Sequence, residues 1–189
     1  MSINLLDPEN ILSMLESLEK QDSKYAGITF STRQYFFVDP MMPIENNLPG
    51  IGNKLAFELF TKKMKPGYYI SMDANDFKIA NKTSHIMGDL AIKIIGRTLR
   101  NATLKITDSK LFRSGGDEFL FYCEKKESIF LFIENALKEI DALELVGNVY
   151  KITLSFGIGI SYSDAEAALL EAKNQKTVIR KNLIHSNIE

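Results

Sequence analysis

Two adjacent acids, Asp117 and Glu118, follow directly on Gly115 and Gly116 and lie between two apolar runs, Leu111-Phe112 and Phe119-Leu120-Phe121. A third acid, Asp73, ends the short apolar run that starts at Gly67. Acids at the mouth of strands this hydrophobic point to a cation, because a carboxylate beside a buried sheet is costly without a partner. Gly-Gly between strand-like runs predicts a two-residue hairpin loop, since both positions can take positive φ. Asp117 and Glu118 then open the second arm, which a palm-like sheet can set beside the strand ending in Asp73. Three converging carboxylates repel one another unless divalent cations neutralise them. Hard oxygen ligands without any Cys/His cluster favour Mg²⁺, with Mn²⁺ as its substitute, over zinc. A metal pair lowers the pKa of an attacking hydroxyl and stabilises the leaving oxygen of an in-line displacement. That chemistry is nucleotidyl transfer with loss of pyrophosphate. The competing reading is a tight turn with a solvated acidic flank.

The elements that must position these acids fit one good-sized domain with a short extension, because the chain has 189 residues. Its apolar fraction of 45% and charged fraction of 25% are those of a soluble globular protein. Lysine plus arginine (23) nearly balances aspartate plus glutamate (24), so no global field recruits a nucleic-acid polymer or a membrane, and an anionic ligand must be held by local charge. The single Cys123 falls in an apolar run and reads as a small core residue in a reducing compartment. No apolar run approaches a membrane span and no secretory leader pattern opens the chain. A cytoplasmic location is expected.

Asp7-Pro8 predicts a helix start, with Ile11, Leu12, Leu15 and Leu18 on one face, packed on the domain rather than forming a dimer stalk. Residues 25–38 are β-branched and aromatic and predict one or two strands. The segment 39–52, with three prolines and two glycines, reads as loop. Helices are expected over 53–64, 76–82, 88–99, 127–143 and 164–175, the last capped by Ser163 or Asp164. Strands are expected at 67–73, in the hairpin 109–123 and at 150–162, where Gly157 and Gly159 suggest close backbone approach or a bulge. From residue 67 the order is β-α-α-β-β-α-β-α. That order predicts an α+β fold, a ferredoxin-like palm sheet with helices on one face, preceded by an N-terminal extension over 1–45, a helix plus a strand-like segment; the domain proper takes 46–189.

Gly115-Gly116-Asp117-Glu118-Phe119 resembles the signature of the diguanylate cyclase (GGDEF) domain family, whose R-x-G-G-D-E-F is present in full from Arg113. The likeness runs further. Asn46 to Lys54 is similar to the family's D-x-L-T-G-L-x-N-R segment, Asp73 to Asn81 to its D-I-D-x-F-K-x-x-N, and Ser84 to Asp89 to its G-H-x-x-G-D. Ile152 to Ile160 resembles V-T-V-S-I-G-I-A, and Ala165 to Lys173 resembles A-D-x-A-L-Y-x-A-K. The resemblance spans about residues 46–176 and implies a nucleotidyl-cyclase palm that joins two GTP molecules into cyclic di-GMP. It implies that Asp73, the backbone carbonyl of Ala74 and Asp117 hold Mg²⁺. Asp117 or Glu118 would help deprotonate the 3′-hydroxyl, with Arg113 as charge stabiliser beside the nucleotide. Asn81 and Asp89 would read the guanine edge, His85 would touch the guanosine, and Lys78 and Lys173 would neutralise the β- and γ-phosphates. Gly115 and Gly116 would let backbone approach the nucleotide. One half-site holds one GTP, so a homodimer is implied for chemistry.

The sequence departs from the family pattern at several places. Asn75 replaces the second acid of the metal strand, Ser84 stands where a glycine is expected, and the run from Asn81 to Asp89 is shortened. After Lys173 the usual A-K-x-x-G-R-N ending is replaced by Asn174-Gln175-Lys176-Thr177. The product-inhibition motif R-x-x-D is replaced by Ile106-Thr107-Asp108-Ser109, so no feedback through that site is expected. Residues 1–45 are short for most sensor modules, so no separate sensor domain is evident and regulation is expected through dimerisation, a partner or expression. These departures keep a second reading alive: a catalytically weak module that binds GTP or a protein partner as a regulator.

Overall fold

The computed structural model describes residues 7–21, 26–43, 50–63, 66–143, 146, 150–174 and 183–186. Helix α1 (Pro8–Gln21) starts where Asp7 Oδ1 accepts the Glu9 amide at 2.8 Å, as its Asp-Pro opening predicts. Ile11 and Leu15 are its buried positions, and they pack with Phe37 and Leu59. Residues 26–37, expected as strand, instead form α2 (Ala26–Phe37). Tertiary packing overrides propensity there, because Phe37 buries against α1 and α3 (Lys54–Lys62) rather than joining the sheet. Asn53 clasps this corner. Its side chain accepts the Ala56 amide at 3.0 Å as the α3 cap and donates to the Phe36 carbonyl at 2.9 Å. Met64, the expected end of this helix, lies outside the described residues.

The sheet comprises β1 (Tyr68–Ala74), β2 (Ser109–Arg113), β3 (Glu118–Cys123), β4 (Leu154–Gly159) and β5 (Leu183–Ser186), in the spatial order β2-β3-β1-β4-β5. The first four run antiparallel, and β5, which sequence reading did not foresee, is parallel to β4. Helices α4 (Lys78–Thr83), α5 (His85–Thr103), α6 (Lys126–Asp141) and α7 (Tyr162–Asn174) complete the order. The fold is the expected α+β palm, but its helices lie on both faces. On one face Met72, Phe121 and Phe156 meet Ile95 of α5 and Phe132 of α6, with the Phe121 and Phe132 rings stacked at 4.0 Å. On the other, Tyr69, Phe112, Leu120 and Tyr122 meet Phe60 of α3 and Ala165 of α7.

The long strand expected over 150–162 is shorter. Tyr150 only bridges Val146, and α7 already begins at Tyr162, capped by Ser161 rather than Ser163 or Asp164. Gly157 and Gly159 do mark a close approach: a Cβ at Gly157 would lie 2.6 Å from Leu169 Cα, and one at Gly159 would lie 2.5 Å from the Ala165 nitrogen. Glycine is required there so that α7 can lie directly on the β4 backbone. Cys123 is buried, as expected, and burial pushes its thiol up to about 11.

Candidate active site

The two strands that carry the acids are neighbours. Asp73, near the end of β1, faces Glu118, the first residue of β3, in the antiparallel register, and the Ala74 amide donates to the Asp117 carbonyl at 3.3 Å. All three acids therefore meet at one end of the sheet. Asp73 turns toward α7, where its Oδ2 lies 2.7 Å from Lys173 Nζ. Its carboxyl is nonetheless held above the ordinary range, because burial outweighs the Lys173 ammonium and Asp117 and Glu166 add like charge. Glu118 is raised for the same reasons, burial first and then the charges of Asp73 and Glu166.

Among the described residues no three His, Cys, Asp or Glu side chains gather into a ready-made metal cage. A Mg²⁺ ion needs no such cage, because it keeps waters and is held by one or two carboxylates plus substrate phosphates. The Asp73 and Asp117 carboxylates and the Ala74 carbonyl are hard oxygens at one sheet end, and Asp73 and Glu118, raised by burial first and by neighbouring acids second, are charges that a divalent cation would stabilise. The residues present fit the ion.

The turn between β2 and β3 is not the expected two-residue loop. It runs over residues 114–117, closed by the Ser114 amide donating to the Glu118 carbonyl at 3.1 Å. Neither Gly115 nor Gly116 has positive φ; among the described glycines only Gly67 does. Their absence of a side chain matters differently. A Cβ at Gly115 would meet Glu118 Oε2 at 2.5 Å, whereas one at Gly116 would meet nothing within 4 Å.

Arg113 holds this loop from beneath. Its Nε and Nη2 donate to the Gly116 carbonyl at 3.1 and 2.7 Å, and its Nη1 lies 3.2 Å from Asp39 Oδ2. Asp39 is buried and its other oxygen accepts the Met41 amide at 2.9 Å. Sequence reading missed Asp39, which looked like one more polar residue of a proline-rich loop. The chain around Gly52 also covers the open edge of β2: the Gly52 amide donates to the Leu111 carbonyl at 2.9 Å and the Arg113 amide to the Gly52 carbonyl at 2.8 Å. Residues 44–49, which carry most of the segment likened to D-x-L-T-G-L, lie outside the described residues.

The remaining expected site residues sit on α4 and α5. Asp76, at φ 54°, turns the chain after β1 in a conformation that aspartate tolerates, and α4 follows. Lys78, Asn81, His85 and Asp89 are all exposed. Asn81 and α5 are in close contact: its Oδ1 lies where a Cβ at Gly88 would be, so glycine lets the amide reach across, one residue from Asp89. Ser84, the departure from the family glycine, caps α5 by accepting the Met87 amide at 3.1 Å. Asn75, the other departure, is turned to β4, accepting from Ser155 Oγ at 2.6 Å and donating to Thr153 Oγ1 at 3.1 Å. Among the described residues no hydrogen bond or ion pair links the α4–α5 group to the carboxylate end; the turn at 75–77 joins them along the chain.

Two further residues missed by sequence reading belong to the carboxylate end. Glu166 and Tyr162 project from the first turns of α7, and burial together with Glu166 and Glu118 pushes the Tyr162 hydroxyl up to about 12. A cleft of about 350 Å³ opens here, with Ser114, Glu118, Glu166 and Lys173 among its walls. An acid on a helix carries no signal of its own; only the packing of α7 on the sheet brings Glu166 to the site.

Comparison with known proteins supplies a family. The profile described as diguanylate cyclase, GGDEF domain, matches residues 50–180. No curated protein sequence matches. Solved structures do: the coiled coil and GGDEF domain of DgcB from Caulobacter crescentus in complex with c-di-GMP is 17% identical, with a TM-score of 0.64, over 93% of this chain and 98% of that one. The diguanylate cyclase SiaD of Pseudomonas aeruginosa, in complex with its activator SiaC, is 21% identical at a TM-score of 0.63, over 93% of this chain and 74% of that one. The active GGEEF domain of a diguanylate cyclase from Vibrio cholerae is 22% identical at 0.52, over 70% of this chain and 90% of that one. At these identities the likeness is one of fold.

Proposed function

Because the chain belongs to the diguanylate cyclase GGDEF domain family, we propose that it condenses two GTP molecules into cyclic di-GMP, with residues 46–189 as the catalytic domain and 1–45 packed on it as an extension. The observation that carries this reading is the meeting of Asp73, Asp117 and Glu118 at one sheet end beside a cleft walled by Lys173. Asp73, Asp117 and the Ala74 carbonyl are the groups that would hold Mg²⁺ or Mn²⁺. The ion, when bound, supplies positive charge that acidifies the attacking hydroxyl and neutralises the leaving pyrophosphate.

The protein's own residues do the rest. Asp117 or Glu118 accepts the proton of one GTP's 3′-hydroxyl; the raised affinity of Glu118 for a proton suits it to that task. The freed oxygen attacks the α-phosphorus of the other GTP, the bond to the β-phosphate bridging oxygen breaks, and pyrophosphate leaves. A second, symmetric transfer closes the ring. Lys78 and Lys173 bind the β- and γ-phosphates, and Asn81 and Asp89 hold the guanine edge with His85 beside the guanosine. Gly115 and Gly116 bring backbone close to the nucleotide, and Arg113 keeps that loop in place through the Gly116 carbonyl. Each half-site holds one GTP, so two copies must face each other and the active species is a homodimer. GTP supply places the reaction in the cytoplasm.

A second reading is favoured by one observation. Lys173 sits on Asp73 rather than free for phosphate, which suits a weak cyclase that binds GTP or a protein partner as a regulator. Incubating the protein with GTP, with ATP and with Mg²⁺, and identifying products by mass, separates the two. Cyclic di-GMP from wild type and none from Asp117→Ala is expected; GTP binding without any product would overturn the enzyme reading.

A further inference from the structure

We propose that Lys173 is the resident cation of the Asp73 carboxylate, and that a divalent metal ion and this ammonium occupy Asp73 in alternation. The inference rests on the reading of Asp73 as a metal ligand and adds a coupling to it. Metal alone binds weakly because it must displace Lys173. Metal arriving with a triphosphate binds well, because the displaced ammonium is taken up by the phosphates. Lys173 thus ties metal occupancy to nucleotide occupancy.

Three observations lead here. First, Lys173 Nζ stands 2.7 Å from Asp73 Oδ2, with 14% of the Asp73 side chain exposed. A carboxylate this sheltered is only partly screened even though its partner is more exposed, so the ammonium is a real competitor for it. Second, Lys173 is outnumbered: Asp117 and Glu166 add like charge at both Asp73 and Glu118, and Lys173 is the cation that acts on those two. Its departure without a replacement would leave like charges unrelieved, so it leaves only when another cation arrives. Third, Lys173 has somewhere to go. It lies in the last turn of α7 with 38% of its side chain exposed, and it lines the same cleft as Glu118 and Ser114. Swinging a flexible lysine between two anions in one cleft needs rotamer changes and no movement of the helix.

The test is a binding titration of full-length protein with Mn²⁺ alone, followed by electron paramagnetic resonance, on wild type, Lys173→Met and Asp73→Asn. The Lys173→Met protein is expected to bind Mn²⁺ about tenfold more tightly than wild type, and Asp73→Asn to lose that binding, in line with couplings of this kind. Repeating the titration with a β,γ-methylene analogue of GTP present should tighten Mn²⁺ binding to wild type much more than to Lys173→Met. Equal or weaker Mn²⁺ affinity in Lys173→Met, with Asp73→Asn still impaired, overturns the alternation while leaving Asp73 as a ligand. Unchanged Mn²⁺ affinity in Asp73→Asn removes Asp73 as a ligand and with it both readings. If Lys173→Met misfolds by circular dichroism, Lys173→Gln serves; Lys173→Arg, which keeps the charge, must behave as wild type, and Mn²⁺ tightening in Lys173→Arg would count against the proposal.

Discussion

At Glu118 burial and the charges of Asp73 and Glu166 hold the carboxyl above its ordinary range. The folded state therefore takes up a proton more readily than the unfolded chain does, and ionisation of this group works against folding. Its contribution to stability is greatest on the acid side. It is lost as pH rises from the ordinary glutamate value through the raised one, and it stays lost at neutral pH. Replacing the charge with a neutral isostere should stabilise the protein. Glu118→Gln is expected to melt about 1–2 °C higher at neutral pH, a small gain because the residue is solvent-screened. The gap from wild type should close as pH falls below the ordinary glutamate range, while product formation drops. A calorimetric scan across pH checks it, and a lower melting temperature at neutral pH would contradict it. Such a residue kept at a cost to stability is what a working site requires.

Gly88 bears on the base-reading side in the same way. Glycine to alanine inside a helix ordinarily stabilises by about 1 kcal/mol. Here the added methyl would take the place of Asn81 Oδ1. Gly88→Ala should therefore fold normally yet bind a GTP analogue about tenfold more weakly, as expected when a hydrogen-bonding group is displaced. Equal affinity by isothermal titration would show that Asn81 does not hold the base from this position.

Among the elements, the β2–β3 loop depends on a residue far away in the chain. Asp39 and Arg113 form an ion pair with side-chain exposures of 8% and 17%, and Arg113 passes that anchorage on to the Gly116 carbonyl. Removing one partner leaves a buried charge without its counterpart, at a cost of about 3 kcal/mol. Asp39→Ala should lower stability by that amount in urea unfolding and speed amide exchange across residues 114–118. If exchange there is unchanged, the pair is a packing feature and not the support of the loop. The hairpin's sequence marked where the turn falls but not its shape. Gly115-Gly116 predicted a tight turn with positive φ, and the wider turn is held instead by Arg113, which donates to the Gly116 carbonyl three positions on and is itself anchored by Asp39, 74 positions away. Helix α2 teaches the same lesson: β-branched and aromatic residues fit a strand, but Phe37 is needed between α1 and α3.

For the whole molecule, the cyclase reading makes each copy a half-site. Specific activity should then rise with protein concentration and level off once the dimer is saturated. Activity per molecule that stays constant down to concentrations where light scattering reports monomer would exclude a requirement for two copies. The α4–α5 group that this reading gives to each copy's own GTP, Lys78, Asn81, His85 and Asp89, is exposed in a single copy.

By itself the sequence determined the palm order of elements, the meeting of acids at the ends of neighbouring strands, and membership of a recognisable family. Those follow from short-range patterns: apolar periodicity, a Gly-Gly break between two apolar runs, acids at strand ends. Only the tertiary structure decided which charges face those acids. Packing of α7 on the β4 backbone, made close by Gly157 and Gly159, brings Glu166, Tyr162 and Lys173 over the carboxylates. The loop opening places Asp39 under Arg113. Contacts between residues so distant in the chain leave no local trace, because each side chain taken alone is an ordinary surface acid or lysine. Their meaning is a matter of which other charge lies within reach once the sheet is closed on both faces.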